Sequence, residues 1–518
     1  MFTPFENETY VNFAEETPRR KMEEAITLVT SRLGRTYPIV IGGERITDGK
    51  LAESVNPARR SQVIGVTPDA TPELADKAVA AANEAFKTWQ KVPVAQRARY
   101  LVRAAAIIRR RIYEFSAWMV LESSKSWLEA YADAAEAIDF LEFYAREAVR
   151  WCAPQPTTDF AGESNMVQYI PIGVGAVIPP WNFPLAIMAG MTMAAVVTGN
   201  TVVLKPAEQS PIVAAIFFEL LEELGLPDGV VNFLPGPGET VGEALTGSPY
   251  IRFVSFTGSK DVGLHINQRI AITQPGQKWI KRGIFEMGGK DAILVDEDVD
   301  LDQIAADVVL AAFGFQGQKC SACSRLIVHK NVYDALIEKV AARADALAVG
   351  DPAAGNFMGA VIDGDSFARI QKYIEIGKSE GNLVLGSKNA DPEVSADGWF
   401  VYPTIIKDVQ PDSRLAQEEI FGPVLAVLKA ESFEHGLEIV NGTQFGLTGA
   451  AYSNNRSRIE KAREEFHVGN LYLNRKCTGA FVDVQPFGGF NMSGTCSKAG
   501  GREYLGLFLQ AKSISERW

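Results

Sequence analysis

Residues 173 to about 263 alternate regularly between strand-like and helical runs, and this alternation limits the possible folds more than any other feature of the chain. The strand-like runs are Val174–Ile178, Thr201–Leu204, Gly229–Leu234 and Ile251–Phe256. Strands that alternate with helices at this rhythm predict βαβ units and a parallel, doubly wound sheet. A second stretch of the same kind runs from about residue 291 to 453. We therefore expect an α/β protein.

Size and charge narrow the class of protein. The 518 residues are enough for two or three domains, and the net charge of −12 argues against nucleic acid or an anionic membrane as the main partner. The five cysteines, an odd number in a long chain, indicate free thiols in a reducing compartment. The N-terminus lacks the features of a secretory signal, and no apolar run reaches the about 18 residues of a membrane span. We expect a cytoplasmic protein with a small-molecule substrate.

Cys320 lies on a Gly- and Gln-rich turn between a helical run and a β-branched run, where a side chain can be presented to a cleft. A cysteine is nucleophilic as the thiolate, and we expect Lys319 and nearby backbone N–H groups to favour that form. Two other interpretations remain open from this stretch alone. Cys320 can be a buried structural cysteine, or it can form a redox or metal site with Cys323. The chain offers no second C-x-x-C motif or His-rich cluster to complete a metal site.

The residues that follow the strands are candidate binding residues, because doubly wound sheets bind ligands beyond the carboxyl ends of their strands. After the first strand, two prolines and an aromatic residue fix Asn182 as a rigidly placed amide donor. After the second strand, Lys205 and Glu208 can hydrogen-bond the hydroxyls of a ribose. Glycine turns after the next two suit a pyrophosphate and contain Gly238, Gly242, Gly258 and Ser259. Each turn alone is a weak signal, but four in succession indicate a nucleotide site.

Two further segments offer carboxylates. Glu286 stands beside two glycines, which makes it conformationally free and able to accept a proton from water, although an exposed loop carboxylate is an alternative interpretation. Glu419 offers a carboxylate for a second ribose. Phe421, two residues later, offers an aromatic ring for the face of a nicotinamide.

Six motifs occur in the order seen in the aldehyde dehydrogenase superfamily, which the chain resembles over nearly its whole length. They are Pro180-Trp181-Asn182, Lys205-Pro206-Ala207-Glu208, Phe256-Thr257-Gly258-Ser259, Glu286-Met287-Gly288-Gly289-Lys290, Gly317-Gln318-Lys319-Cys320 and Glu418-Glu419-Ile420-Phe421-Gly422-Pro423-Val424. A narrower resemblance, to members that oxidise glutamate γ-semialdehyde, rests on the extended N-terminus and on residues 317–325 and 474–489. Cys496 and Arg502-Glu503 depart from the expected pattern, and we place these changes outside the active site.

The resemblance implies a role for each motif. Cys320 would attack the aldehyde carbon, the Asn182 amide and the Cys320 N–H would hold the oxyanion, and Glu286 would activate water. NAD is the implied cofactor, and its implied contacts are Pro179, Trp181, Lys205, Glu208, Gly238, Gly242, Gly258, Ser259, Gly288, Glu419 and Phe421. The implied substrate contacts are Phe183, Ser321, Gly479, Ala480 and Phe487. No metal is implied, and Cys323 is expected to be a packing residue.

The resemblance also implies how the chain is organised. Residues 1–152 and 173–287 would form the NAD-binding domain and residues 288–482 the catalytic domain. Residues 153–172 and 495–518 would form a β-arm for assembly into a homo-oligomer, a dimer or an assembly of dimers. The expected reaction converts glutamate γ-semialdehyde to glutamate in proline or arginine breakdown. Two alternatives stay open: another semialdehyde such as succinate semialdehyde, which Arg475 and Lys476 keep possible, and a non-catalytic relative.

Overall fold

The structure, a computed structural model, describes residues 3–386 and 396–518. Residues 1–2 and 387–395 belong to the predicted NAD-binding and catalytic ranges and lie outside the described residues. The described residues contain two seven-stranded sheets, each flanked by helices, and three smaller sheets. This arrangement confirms the predicted α/β, doubly wound fold.

The first large sheet has a parallel core and an antiparallel edge. Its strands are, in spatial order, Arg282–Glu286, Phe253–Thr257, Val174–Ile178, Thr201–Leu204, Val231–Phe233, Ile39–Ile41 and Glu44–Ile46. The first five run parallel, Ile39–Ile41 pairs antiparallel with the fifth, and Glu44–Ile46 pairs antiparallel with Ile39–Ile41. The central strands are buried at every position because helices cover both faces of the sheet, which explains their continuous apolar sequence.

Helices surround this sheet, and several begin at a side-chain cap. Their bounds are Glu16–Thr30, Pro72–Trp89, Val94–Arg110, Ile112–Ser123, Trp127–Trp151, Ala186–Val197, Pro211–Glu223, Glu243–Gly247 and Lys260–Ala271, with a π-helical turn at Gly238–Gly242. The hydroxyls of Thr71, Ser126 and Ser259 accept backbone N–H bonds at the first turns of three of them. Helix Trp127–Trp151 is the longest and packs against the buried helix Ala186–Val197.

The second large sheet contains the strand that follows the nucleophile turn. Its order is Asn382–Leu385, Thr404–Lys407, Val424–Ala430, Arg325–His329, Ala292–Val295, Thr448–Tyr452 and Asn470–Leu473, and only the first strand runs antiparallel. Its helices are Leu301–Phe313, Tyr333–Asp345, Gly364–Glu380, Arg414–Gln417, Phe433–Asn441 and Arg456–Glu465, with 3₁₀ turns at Gly314–Gly317 and Pro352–Ala354.

The remaining strands form small sheets. Strand Leu509–Arg517 pairs antiparallel with Glu163–Pro171, which pairs with Gln155–Pro156, so the C-terminal segment joins the arm as predicted. The other small sheets contain Arg35–Thr36, Leu51–Asn56 and Arg59–Pro68, and Phe445–Gly446 with Phe490–Asn491. A 3₁₀ turn, Tyr504–Phe508, precedes the last strand. Among the described helices, none is long and apolar enough to cross a membrane.

Candidate active site

A cleft of about 1140 Å³ opens at the carboxyl ends of the parallel strands of the first sheet. Asn182 and Cys320 line it, so the candidate nucleophile faces the same space as the nucleotide-binding turns. All the predicted cofactor residues line this cleft as well, namely Pro179, Trp181, Lys205, Glu208, Gly238, Gly242, Gly258, Ser259, Gly288, Glu419 and Phe421.

The sheet explains why residues so far apart in sequence meet. Pro179, Lys205 and Gly258 each follow the last residue of a strand, and these strands are parallel neighbours. Gly288 follows the adjacent edge strand, Arg282–Glu286, by two residues. Because the carboxyl ends of parallel neighbours lie at one edge, the turns form a continuous surface there.

Lys205 and Glu208 form the part of the cleft suited to a ribose. The Lys205 ammonium lies 3.8 Å from the Glu208 carboxylate, which accepts a 2.8 Å hydrogen bond from the Gly238 N–H. Lys205 is buried, and this burial lowers the pKa of its ammonium. A fixed carboxylate beside an ammonium offers both an acceptor and a donor to vicinal hydroxyls.

Glu419 and Phe421 form the opposite part of the cleft. The Glu419 carboxylate accepts a 3.0 Å hydrogen bond from the Gly289 N–H, and a Cβ on Gly288 would collide with that carboxylate. Burial raises the pKa of Glu419 to about 7. The Phe421 ring stands edge-on to Trp181 with the centroids 5.5 Å apart, which provides an aromatic wall for a planar ring.

The turn before Cys320 is held rigidly. Phe315 and Gln316 both have positive φ angles, of 49° and 56°, and both are fully buried. The Gln316 amide donates to the carbonyls of Ser124 at 3.0 Å and Ala360 at 2.8 Å. A strained, buried turn of this kind persists only where its surroundings fix it, so Cys320 is presented in one defined position.

Asn182 lies beside the nucleophile segment. Its amide N–H donates to the Gln318 carbonyl at 3.1 Å, and the side chain is buried. An amide NH₂ group has two N–H donors, so one can hold Gln318 while the other faces a ligand. Asn182 therefore lies beside the segment that carries Cys320.

The electrostatics of Cys320 differ from the expectation. Burial and the charges of Asp291, Glu419 and Glu286 raise the pKa of the thiol. Lys319 does not offset them, because its ammonium pairs with Glu129 at 2.6 Å. The prediction that Lys319 favours the thiolate is wrong, since sequence adjacency does not give the direction of a side chain.

Glu286 ends its strand in contact with the C-terminal segment. Its carboxylate accepts hydrogen bonds from the Gly489 N–H at 3.0 Å, the Ser497 N–H at 3.2 Å and the Ser497 hydroxyl. Burial raises the pKa of Glu286 to about 7. Ser497 follows Cys496 directly, so the sequence change at Cys496 is next to a residue that binds Glu286, while Cys496 itself is exposed and is not among the described residues that line the cleft.

The candidate substrate loop begins beside Ser321. The Cys477 thiol lies 3.5 Å from the Ser321 carbonyl, so the loop of residues 478–480 starts next to the nucleophile segment. The Arg475 guanidinium donates to the carbonyls of Thr478 at 3.0 Å and Gly479 at 2.9 Å. Gly479 has a φ of +82°, a conformation that favours glycine. Ala480 follows in the same loop and is half-buried.

Phe183 and Phe487, the two aromatic residues predicted to contact the substrate, are held in place by different contacts. The Phe183 ring lies 4.0 Å from the Lys125 ammonium, which pairs with Asp133 at 3.0 Å, and both charged side chains are fully buried. Breaking such a buried pair typically costs about 3–5 kcal/mol, so the pair holds Phe183 firmly. Phe487 is held through its backbone N–H, which donates to Ala499 at 2.8 Å.

Cys323 and the other cysteines are free thiols. Cys323 is buried in the hydrophobic core of the second sheet together with Cys477, which agrees with the expected packing role and not with a disulfide between Cys320 and Cys323. In the part of the chain that the structure describes, no group of three or more His, Cys, Asp or Glu side chains is arranged to hold a metal ion.

Sequence reasoning missed Glu136, a carboxylate on helix Trp127–Trp151. Burial and the charge of Asp133 raise its pKa to about 8, and its own charge contributes to the raised pKa of Cys320. Glu136 therefore lies near the nucleophile. The sequence showed only a regular helix there, so no signal distinguished this carboxylate from those on solvated helix faces.

A nucleotide cleft lined by a cysteine and an amide defines a class of enzyme, and the sequence comparison agrees. The chain matches the family model described as "Aldehyde dehydrogenase family" over residues 46–514. The chain belongs to the aldehyde dehydrogenase family.

The names of individual relatives are more specific than the name of the family. The chain is 54% identical over 517 residues, with complete coverage of both chains, to 1-pyrroline-5-carboxylate dehydrogenase of Geobacillus sp. strain WCH70. The crystal structure of 1-pyrroline-5-carboxylate dehydrogenase from Thermus with bound NAD superposes with a TM-score of 0.98 at 49% identity, covering 100% of each chain. Proline utilization A from Bdellovibrio bacteriovorus gives a TM-score of 0.97 at 43% identity, covering 99% of this chain and 53% of that one.

Proposed function

We propose that this chain oxidises L-glutamate γ-semialdehyde, the open form of 1-pyrroline-5-carboxylate, to L-glutamate with NAD, as a step in proline or arginine breakdown. The observation that carries the proposal is the single cleft that combines every predicted cofactor residue with Cys320 and Asn182. The relatives named 1-pyrroline-5-carboxylate dehydrogenase, at 54% identity over the full length, support the choice of substrate.

The cleft fits a dinucleotide. Its volume of about 1140 Å³ exceeds the about 300–1,000 Å³ of ordinary small-molecule pockets. Lys205 and Glu208 would hold one ribose and Glu419 the other, and the turn at Gly258-Ser259 would hold the pyrophosphate. Phe421 would position the nicotinamide. NAD, when bound, accepts the hydride that the substrate loses.

The first chemical steps belong to Cys320 and Asn182. The Cys320 sulfur, as the thiolate, bonds to the aldehyde carbon, and the carbonyl oxygen becomes an oxyanion that the Asn182 amide and the Cys320 N–H hold. The oxyanion then re-forms the carbonyl as hydride leaves the carbon, which gives a thioester on Cys320. Removing one such donor typically costs about 10²–10³ in rate.

Glu286 completes the cycle. Its carboxylate takes a proton from water, the resulting hydroxide adds to the thioester carbon, and the Cys320 thiolate leaves as the carboxylate product forms. A carboxyl group with a pKa of about 7 suits this role, because it is ionised at neutral pH and basic enough to accept the proton.

The residues proposed for the substrate would receive its charged end. The N–H groups of loop 478–480 and the Ser321 hydroxyl would hold the α-carboxylate, with Phe183 and Phe487 beside the aliphatic chain. Arg475 is bonded to the Thr478 and Gly479 carbonyls and braces the loop, so its role here is to support the loop and not to supply an extra cation for succinate semialdehyde.

We also propose the division into an NAD-binding domain (1–152 and 173–287), a catalytic domain (288–482) and an oligomerisation arm (153–172 and 495–518). Each large sheet falls within one of the first two ranges, which supports this division. The arm exposes apolar side chains, among them Phe160 and Met166, which supports assembly into a dimer or a set of dimers. Five unpaired thiols support a cytoplasmic location.

The experiment that tests this function compares substrates and cofactors directly. NADH or NADPH formation is followed with 1-pyrroline-5-carboxylate, succinate semialdehyde and pentanal, each with NAD and with NADP. We expect the highest kcat/KM for 1-pyrroline-5-carboxylate with NAD. A higher kcat/KM for pentanal would leave only a general aldehyde dehydrogenase, and turnover of none would favour a non-catalytic relative.

A further inference from the structure

The N-terminal segment of residues 5–13, which lies before the start of the family match at residue 46, runs along the helix that carries Glu136. We call this segment the strap. The rings of Phe5 and Phe143 lie 5.3 Å apart at one end, and Phe13 packs against Trp127 at 5.6 Å at the other. Residue numbers rise along the strap as they fall along helix Trp127–Trp151, so the two run antiparallel.

The length of the strap matches the length of helix that it covers. Residues 127 to 143 rise about 24 Å along a helix axis. The eight residue steps from 5 to 13 span about 26 Å when the chain is extended. The strap has no helical residues, and its length fits an extended segment that lies along the helix.

The strap is bonded to the helix at its centre. Asp139 accepts a 3.0 Å hydrogen bond from the Asn7 amide and a 2.8 Å hydrogen bond from the Glu8 N–H. The Glu8 carboxylate in turn accepts a bond from the Arg109 guanidinium at 2.7 Å. These contacts fix the position of Asn7 and Glu8 on the helix surface.

The same strap residues reach the substrate loop. The Asn7 amide also donates to the Val482 carbonyl at 3.1 Å, so one side chain bridges the helix and residue 482. The Tyr10 ring stacks on Phe481 with the centroids 5.7 Å apart. Phe481 directly follows Gly479-Ala480, the residues proposed to hold the α-carboxylate. The strap therefore links the residues at the end of this loop to the helix.

Tyr10 lies close to the charges of the pocket. Burial and the carboxylates of Glu136, Asp139 and Glu129 raise the pKa of the Tyr10 hydroxyl. Glu136 also acts on the Cys320 thiol. Tyr10, which is about half-exposed, thus lies between the helix and the loop.

We propose that the strap is a specificity-determining element. Through Asn7 and Tyr10 it contacts Phe481 and Val482, directly after loop 478–480, and holds the loop at a fixed distance from helix Trp127–Trp151. This distance sets the size of the pocket for the carboxylate end of the substrate. The inference rests on the proposed function, since the loop is taken to bind that carboxylate. Asn7 and Tyr10 are positioning residues and take no part in the chemistry.

The test compares Asn7→Ala and Tyr10→Ala with a matched control, Asn12→Ala. Asn12 is an exposed strap residue whose side chain accepts only a local 3.0 Å bond from the Ala14 N–H among its side-chain hydrogen bonds in the described structure. We expect Asn7→Ala and Tyr10→Ala to raise KM for 1-pyrroline-5-carboxylate about tenfold, the effect of losing one bridging hydrogen bond or ring contact. The kcat, the KM for NAD and the kcat/KM for pentanal should stay within about twofold of the control.

A second pair of variants protects the test against misfolding. Tyr10→Phe keeps the ring and should restore the KM of the parent, whereas Tyr10→Ala should not. The proposal is overturned if Asn7→Ala and Tyr10→Ala match Asn12→Ala in KM, or if pentanal turnover and the KM for NAD deteriorate equally. A parent enzyme that neither turns over 1-pyrroline-5-carboxylate nor binds L-glutamate in calorimetry refutes the proposed function and the strap with it.

Discussion

At the scale of single residues, the structure separates two cysteines that sequence alone could not. Cys320 lines the cleft, whereas Cys323 is buried in the core of the second sheet. The raised pKa of Cys320 means that the free thiol is protonated at neutral pH, so the thiolate has to form as the site acts. Cofactor and substrate binding therefore have to supply part of the activation that Lys319 does not.

We expect Cys320→Ala to abolish aldehyde oxidation and Cys323→Ala to retain most of it, because only Cys320 can form the thioester. Iodoacetamide should inactivate Cys323→Ala at the rate of the parent. Turnover that survives in Cys320→Ala contradicts the assignment of the nucleophile.

The pH dependence of kcat follows from Glu286. Its pKa is raised to about 7, so the carboxyl group is protonated and inactive as a base below neutral pH and ionised above it. When hydrolysis of the thioester limits turnover, kcat should rise about tenfold per pH unit up to about pH 7 and then level off. A steady-state profile from pH 5.5 to 9 measures this. An inflection that persists unchanged in Glu286→Gln would assign it to another group.

At the scale of elements, the sequence predicted the strands, the order of the turns and the arm, because the buried parallel strands have continuous apolar runs and Gly or Pro marks their ends. The contacts of Glu286 could not be predicted in this way. Ser497 and Gly489 reach it from a segment more than 200 residues later, and nothing in their local sequence marks them. Glu136 was missed because a half-buried carboxylate and a solvated one look alike in a helical pattern.

The substrate loop depends on its glycine. Gly479 has a φ of +82°, so Gly479→Val introduces strain of about 1–3 kcal/mol in the loop that holds the carboxylate. We expect KM for 1-pyrroline-5-carboxylate to rise about tenfold or more while the KM for NAD is unchanged. Gly276→Val is the matched control, since Gly276 has a φ of +80° with nothing within 4 Å of its Cβ position. Equal kinetics in the two variants would mean that the loop does not contact the substrate.

The residues at the carboxyl ends of the first sheet's strands, where the cofactor would bind, predict a preference for NAD over NADP. The Glu208 carboxylate would bond the 2′-hydroxyl of the ribose and repel a 2′-phosphate. Glu208→Gln should narrow the ratio of kcat/KM for NAD over NADP by about tenfold, whereas Glu222→Gln on the helix surface should leave it unchanged. A parent enzyme that uses both nucleotides equally would show that Glu208 does not face the ribose.

At the scale of the whole molecule, the two large sheets bring together groups with separate tasks. The first sheet supplies the nucleotide turns and Asn182, and Glu286 ends its edge strand. The second supplies the segment after Cys320 and the loop that follows strand Asn470–Leu473. The strap contacts both helix Trp127–Trp151 and the residues after that loop, which would enclose the substrate on a third side. The reaction therefore requires the complete fold, and no single sheet contains the site.

The most direct test of the account is to trap the intermediate. Glu286→Gln is mixed with 1-pyrroline-5-carboxylate and NAD, quenched in acid and digested for mass spectrometry. The account predicts NADH formation of about one equivalent per active site and a glutamyl thioester on the peptide that contains Cys320. Burst formation without any adduct on Cys320, or an adduct on Cys323, would contradict it.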